Sequence, residues 1–480
     1  MASPRTKTSN WIWPAVIMVV CLAVYVARAV AFHPDILTLD EERYLACAKR
    51  ICAGYLVTDD NPDFVNGPGY PLVLAPFVKA GLPLYWARAM NAVWIGLCGT
   101  LLFATIRHYA NTPWAVAGSL WTVLQPSLMR LGPFLMSEAF MMFCVAAFVW
   151  TFCRAQRAET RVFWHCLLAA VALLAMVMTR VMFGHVTTAM LILTLLALPF
   201  VKKLRRPVGR TALIMGLGLT LCLPYLAYTK AKTGKTWCWS TNSGELLYWV
   251  TSSHPGENGF WYCEYDALNH PDLAPNHRAF YERVMKLPVL EREAAFAEKA
   301  KENLRTVPPQ RLAYNWLCNV CRMAFGFPRA FMTEEVSRGV MVAFNAPLLL
   351  LLLAASVVWL MRPGSLPAEI PLLGLVALVY LGGSTLPPAL IRYAMVVTPL
   401  EWVVVSAVLW RNVEVRLRPA GFAGDKRLED ERQKPEIAKT LYAIQHDRRA
   451  IAGGSGRDSP GMLRHYEGVG QDVAKAVKLW

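Results

Sequence analysis

"WIWPAVIMVVCLAVYVARAVAF" (residues 11–32) is an unbroken apolar run, and five residues later comes "TLDEERYLACAKR" (residues 38–50), which carries three consecutive acids, Asp40, Glu41 and Glu42. A helix of about twenty apolar residues crosses the ~30 Å hydrocarbon core of a bilayer. The first run is too long for a cleavable signal peptide and has no clear small-residue cleavage site, so it reads as a retained anchor. The acids after it pose the functional question.

Outward from this pair, apolar runs of similar length recur. Hydropathy places ten spans, at about 11–32, 84–107, 112–129, 133–154, 162–179, 182–200, 210–229, 342–362, 369–386 and 391–411. Hydrophobic residues make up 55% of the 480 and charged ones only 17%, which excludes an ordinary soluble domain. "PGYPLVLAPFVKAG" (68–81) is too short and proline-rich to span, and reads as a helix lying in the interface. The fold class is therefore an all-α polytopic membrane protein with about ten transmembrane helices, interfacial helices and a small extracytoplasmic domain. Four parts follow. Residues 1–229 form a transmembrane catalytic module with an outer loop at 33–83, and 230–341 an extracytoplasmic cap. Residues 342–411 are C-terminal spans, and 412–480 a partly disordered cytoplasmic tail with a linker-like "AGGSGRDSPG" (452–461).

Positive charge sets the direction. With both termini cytoplasmic, the short inner loops hold Arg107, Arg154, Arg157, Arg161, Lys202, Lys203, Arg205, Arg206, Arg210 and Arg362. The short outer loops hold only Arg130, Arg180 and Arg392. That bias predicts a multi-pass protein of the cell (inner) membrane. The net charge of +16 is thus explained by lipid headgroups and insertion, and no nucleic-acid face is predicted.

The three outer arginines break the rule, and Arg88, Gln125, Glu138 and His185 fall at the same level. Each alone could be a cap, a snorkelling side chain or a packing hydrogen bond. Together they point to one polar cavity opening on the outer face. Written as a helix, 40–53 puts Asp40, Tyr44 and Ala48 on one stripe, with Arg43 and Arg50 on another. An acid there is also a good helix cap. Clustered carboxylates raise one another's pKa and a nearby arginine lowers it, so such a group can be tuned as a general base.

The landmarks occur in a known order. "DEERY" (40–44), "NGPGYPLVLAPF" (66–77), "WARAMNAV" (86–93), "LMSEAFMMF" (135–143), "VMTR" (177–180), "LPYLAYTKAKTGKTWCWSTNSGELLYW" (223–249) and "IRYAMVVTPL" (391–400) follow one another. The chain in this respect resembles the membrane glycosyltransferases of the GT-C fold, and most of all the bacterial branch of aminoarabinose transferases and protein O-mannosyltransferases. The resemblance spans roughly residues 10–411. It implies a polyprenyl-phosphate-linked sugar donor, a lipid, glycan or protein acceptor, and transfer with inversion on the extracytoplasmic face. Asp40 would be the catalytic base, with Glu41 as the alternative. Arginine forks suit phosphate oxygens, so Arg392 and Arg180 are assigned to the donor phosphate, with Arg88 as a further candidate, and Arg43 could hold either the acids or the phosphate. Tyr44, Tyr70, Tyr393 and His185 would line the site, and Glu138 would orient an arginine or a sugar hydroxyl.

One departure stands out. The aminoarabinose branch often carries a lysine before a double proline, where this chain has "VNGPGYP" (65–71), so lipid A specificity is not implied. No strict Asp-x-Asp pair is present. No metal site and no cofactor is predicted as required, although carboxylates here are compatible with a divalent cation.

In 230–341, the aromatics of "WYCEYDAL" (261–268) read equally as platforms for sugar rings or as the cap's own core. His254, His270 and His277 lack zinc-like spacing and read as surface or capping residues. Cys238 and Cys263 face an oxidising side and could pair. "CNVC" (318–321) reads as packing on successive helical turns. The alternative function is a lipid or glycan flippase or transporter. Such proteins commonly hold charges near the midplane and show internal repeats, which this chain does not.

Overall fold

The structure is a computed structural model. It describes residues 12–413 apart from 32–36, 38, 330 and 332–335, so the predicted tail lies outside the described residues. Among these all regular secondary structure is helical, with no strand. Six helices are long and apolar enough to cross a membrane, and two more are apolar but shorter.

In chain order, α1 (Ile12–Ala31) leads to α2 (Leu39–Cys52) and α3 (Gly69–Lys79). Helix α2 has acids in its first turn and Lys49 and Arg50 in its last, matching both ends of the helix dipole. Helix α3 covers the predicted interfacial segment. Its approach is the reason for the glycines of "VNGPGYP": a Cβ on Gly67 would stand 2.1 Å from the Met178 carbonyl oxygen, and one on Gly69 2.6 Å from the Thr179 nitrogen. No larger residue fits there without moving backbone.

Helix α4 (Leu84–Tyr109) is followed by α5 (Thr112–Val123) and α6 (Pro126–Leu131). The single span predicted at 112–129 is thus two pieces. Gln125 precedes a proline and adopts an extended ψ of 132°, because the proline ring disfavours helix at the residue before it. Helix α7 (Glu138–Arg157) starts five residues later than predicted, after the bends around Gly132 and Pro133. Then come α8 (Val162–Thr179), α9 (Met182–Ala197) and α10 (Arg205–Thr233), which ends at a left-handed Gly234 (φ 73°).

The segment predicted as a cap holds α11 (Ser243–Val250), α12 (Glu264–Asn269), α13 (Ala274–Val284), α14 (Val289–Thr306) and α15 (Pro309–Phe325). Tyr248, Trp249, Phe260, Tyr262, Tyr281 and Phe296 form its buried core. The aromatics are therefore mainly packing, although Tyr265 is exposed. Cys238 and Cys263 are both free thiols, so the two do not form a disulfide. Cys318 and Cys321 are likewise free and lie on α15.

The chain finishes with α16 (Arg338–Met361), α17 (Glu369–Ser384), α18 (Ile391–Met395) and α19 (Thr398–Asn412). The last predicted span, 391–411, is also broken. Pro399 in the first turn starts α19 without needing a hydrogen-bonded N–H, and α18 is left as a short separate turn. Helix α7 is packed on most of its surface, whereas α1 and α16 leave most of theirs open, as lipid-facing helices do. Association between such helices rests on close packing rather than on water exclusion. Gly96 and Gly99 of α4 accordingly face Ile17, Met18 and Cys21 of α1.

Candidate active site

Four landmarks far apart in sequence meet at one end of the bundle: the start of α2, the start of α7, the residue after α8 and the short α18. The broken backbone at each of these points is what lets polar side chains turn toward one another.

Asp40 opens α2 and accepts from two arginines. Arg392 Nη1 donates to its Oδ2 at 2.7 Å, and Arg43, one helical turn along, donates to Oδ1. Burial pushes the Asp40 carboxyl up, but Arg392 and Arg43 outweigh it and hold the carboxyl down at about 2. Glu138, 1% exposed, accepts from Arg180 Nη2 at 2.6 Å, and Arg392 Nη1 lies 3.7 Å from the same oxygen. Arg392 therefore bridges the two acids. Arg43, Arg180 and Arg392 thus gather around the Asp40 and Glu138 carboxylates. Glu138 Oε2, Arg180 Nε and Arg392 Nε are buried without a hydrogen-bond partner among the described residues. Buried polar atoms left unpaired are costly, and this cluster holds three of them.

Glu41 has a different job. It is fully buried, accepts from Arg88 Nη2 at 3.2 Å and from the Leu135 backbone N–H at 2.8 Å. That anchors α2 to α4 and to the turn before α7. The structure thus separates the adjacent acids: Asp40 faces Arg392 and Arg43, Glu41 faces Arg88, and Glu42 is exposed. Arg88, grouped in the sequence with the phosphate arginines, is engaged with Glu41.

The aromatic lining assembles in part. The Tyr44 hydroxyl donates to Ser137 Oγ at 3.1 Å, and its ring meets Tyr70 edge-on at 5.1 Å. Tyr70 is buried and its hydroxyl has no partner among the described residues. Arg180 lies over the Tyr393 ring at 5.4 Å. His185 stands elsewhere: its ring is exposed and lies 6.3 Å from that of Trp239, and none of its described contacts is with the cluster.

Arg43 also borders a cavity of about 100 Å³ lined by Arg50, Asp63, Asn66 and Tyr225 among others. Two residues escaped the sequence reading. Ser137 was visible only as part of its motif. Glu245 of α11 carries a carboxyl raised by burial, accepts from the Tyr281 hydroxyl at 3.2 Å, and lies close enough to Arg43 for that charge to act on it. Nothing in its local sequence announces that position.

No protein-family model matches the chain, and no curated protein is significantly similar. Solved structures are. ArnT from Cupriavidus metallidurans bound to undecaprenyl phosphate matches at 15% identity and a TM-score of 0.39, over 84% of this chain and 78% of that one. The archaeal oligosaccharyltransferase AglB from Archaeoglobus fulgidus, in complex with an inhibitory peptide and a dolichol-phosphate, matches at 12% identity and a TM-score of 0.46. That match covers 97% of this chain and 55% of AglB, so the chain spans about half the length of the archaeal protein.

Proposed function

We propose that this protein is an integral membrane glycosyltransferase. It takes a sugar from a polyprenyl-phosphate donor and passes it to a hydroxyl of a lipid, glycan or protein acceptor on the extracytoplasmic face. The observation that carries the reading is the bridge made by Arg392: one guanidinium spans a catalytic-type carboxylate and a second acid, with Arg180 beside it.

In the reaction the acceptor oxygen attacks the anomeric carbon from the face opposite the phosphate. The new C–O bond forms as the bond to the phosphate oxygen breaks, so the configuration inverts. The proton of the acceptor hydroxyl passes to Asp40, and the lipid phosphate leaves with the bonding electron pair. Arg392 and Arg180 offer the fixed positive charge needed where that negative charge grows. No metal is required by this scheme.

Asp40 held at about 2 is ionised but weakly basic. The donor phosphate competes for Arg392 and adds a negative charge beside the carboxylate. Both changes raise its proton affinity when substrate is in place. Glu138 keeps Arg180 oriented, and Glu41 keeps α2 seated.

The test is transfer from radiolabelled polyprenyl-phosphate sugars by membranes carrying wild type, Asp40→Asn or empty vector. A panel of donors is offered with lipid, glycan and protein extracts. Label moved by wild type and not by folded Asp40→Asn supports the reading, and the labelled product names the acceptor. Equal transfer by both removes Asp40 as the base. No transfer from any donor by folded wild type overturns the reaction class.

A further inference from the structure

A second polar cluster lies in α11–α15, with residues separate from those proposed for transfer. Glu257, in the loop between α11 and α12, and His277 of α13 are each 1% exposed, and His277 Nε2 meets Glu257 Oε1 at 2.8 Å. His254, half-buried, stands beside them with its ring 5.4 Å from that of His277. One ligand atom from each of the three lies within 4.8 Å of the others. The sequence reading of His277 as a surface or capping residue is corrected by its burial.

We infer that His254, Glu257 and His277 form a binding site for a zinc-class divalent ion, which pins the 252–257 loop to α13. Two imidazoles and a carboxylate are a borderline donor set that suits zinc, whereas calcium and magnesium favour all-oxygen sites. Ligand atoms about 2.0–2.1 Å from a tetrahedral zinc stand roughly 3.3 Å apart, so the 2.8 Å His277–Glu257 pair must open slightly and the His254 ring, whose ligand atom lies within 4.8 Å of both, must turn in toward them. The ion would take the place of the proton shared by His277 Nε2 and Glu257 Oε1, and that proton would be released on binding.

The surroundings fit this role. A metal-bound histidine is usually fixed through its other nitrogen, and the Tyr248 hydroxyl sits 2.5 Å from His277 Nδ1. Ser252 Oγ donates to Glu257 Oε2, and Asn276 Nδ2 lies 3.3 Å from Oε1. His254 is the telling member. Its backbone N–H meets Ser252 Oγ, but among the described residues neither ring nitrogen has a hydrogen-bond partner. A metal-free His277–Glu257 pair gives that ring no task. Three protein ligands leave a fourth position for water.

The site is tested on the full-length protein carrying an affinity tag without histidine, purified in detergent and stripped with EDTA. Zinc is titrated against a competing chromogenic indicator, and thermal unfolding is followed with and without zinc. The expected result is one equivalent bound with submicromolar Kd and a zinc-dependent rise in unfolding temperature. His254→Ala leaves the His277, Glu257 and Tyr248 contacts in place. It should unfold with the wild type in EDTA, bind zinc at least about a hundredfold more weakly, and lose the temperature rise. His254→Asn serves if the alanine variant is poorly folded. X-ray absorption of the loaded wild type should show only nitrogen and oxygen neighbours. Failure of wild type to bind one equivalent overturns the proposal, as does unchanged binding by the His254 variants. Sulfur neighbours, placing the ion on cysteine, overturn it too. Each readout is zinc binding or unfolding, so the zinc site stands or falls independently of sugar transfer.

Discussion

Helix α7 carries an acid at its first residue and an arginine at its last, and the two ends have opposite characters. At the C-terminal end, Arg157 Nε donates to Glu369 Oε1 at 2.6 Å, and the Tyr109 hydroxyl donates to the same oxygen at 3.1 Å. The Arg157 guanidinium also lies over the Tyr109 ring at 4.5 Å. One positive charge meets one negative charge, and no buried polar atom of that trio lacks a partner. At the N-terminal end, roughly 30 Å away by helix rise, Glu138 shares in a cluster of several arginines and acids with three unpaired buried atoms. The first arrangement is complete as it stands. The second leaves two guanidinium N–H donors, Arg180 Nε and Arg392 Nε, and one acceptor, Glu138 Oε2, without partners among the described residues.

The largest effect that could break this contrast belongs to Asp40. Asp40→Asn keeps the shape and removes the base. Transfer should fall by about 10²–10⁴-fold while the variant still purifies as folded protein. Retained transfer would move the base elsewhere, first to Glu245, whose raised carboxyl lies near Arg43. Next comes Arg392→Ala, expected to cost about 10²–10³-fold in kcat, because a charge-stabilising donor at the leaving group acts mainly in the transition state. Arg392→Lys should recover part of that loss but not the bridge to both acids, since an ammonium is a point charge rather than a fork. If Arg392→Ala changed only KM, the arginine would be a ground-state binding residue.

These residues differ in how far sequence could reach them. Glu138, Arg180 and Arg392 stood out as charges at the ends of apolar runs, whereas Asp40 stood out as one of three consecutive acids and took its role from the family resemblance. Their pairing was not, since it depends on α18 being cut from α19 at Pro399 and on the bends before α7. A hydropathy window averages across such breaks, which is also why 112–129 and 391–411 read as single spans. The division of labour between Asp40 and Glu41 was closed to sequence for a simpler reason. Neighbouring helical residues point about 100° apart, and only the packed neighbours decide which acid is buried. The His254–Glu257–His277 group failed the zinc-spacing criterion because its residues come from a loop and from α13, with all of α12 between them.

Glu138→Gln sharpens the same comparison with a smaller effect. It removes the charge partner of Arg180 while keeping the side-chain volume, and transfer should fall by about 10–100-fold. pH dependence supplies a related check. Burial raises and Arg392 with Arg43 more strongly lower the Asp40 carboxyl, so its folded value, about 2, is depressed. The stabilisation from that depression is present above the ordinary carboxyl range and is lost as pH falls through about 2. For activity, the profile of kcat/KM reports the free protein and should show no acid limb from Asp40 down to the lowest usable pH. The profile of kcat reports the donor complex and should show an acid limb at higher pH, because phosphate then stands beside the carboxylate. Coincident profiles would mean that the donor leaves the Asp40–Arg392 contact undisturbed.

The smallest effect on chemistry is expected at the other end of α7. Arg157→Met keeps the apolar stem over Tyr109 but leaves Glu369 without its charge partner. A fully buried pair broken in this way costs about 3–5 kcal/mol. Arg157 is 31% exposed and Glu369 7%, so solvent screens part of the loss, and a destabilisation of about 1–3 kcal/mol is expected. The double variant Arg157→Met/Glu369→Gln should recover some of it, because no lone charge remains buried. Transfer per folded molecule should stay within about threefold of wild type in both, as a closed clamp near the far ends of α4, α7 and α17 holds helices without touching substrate. A loss of transfer as large as that of Glu138→Gln, in protein as stable as wild type, would mean that the two ends of α7 are coupled. The clamp would then belong to the machinery it has been contrasted with.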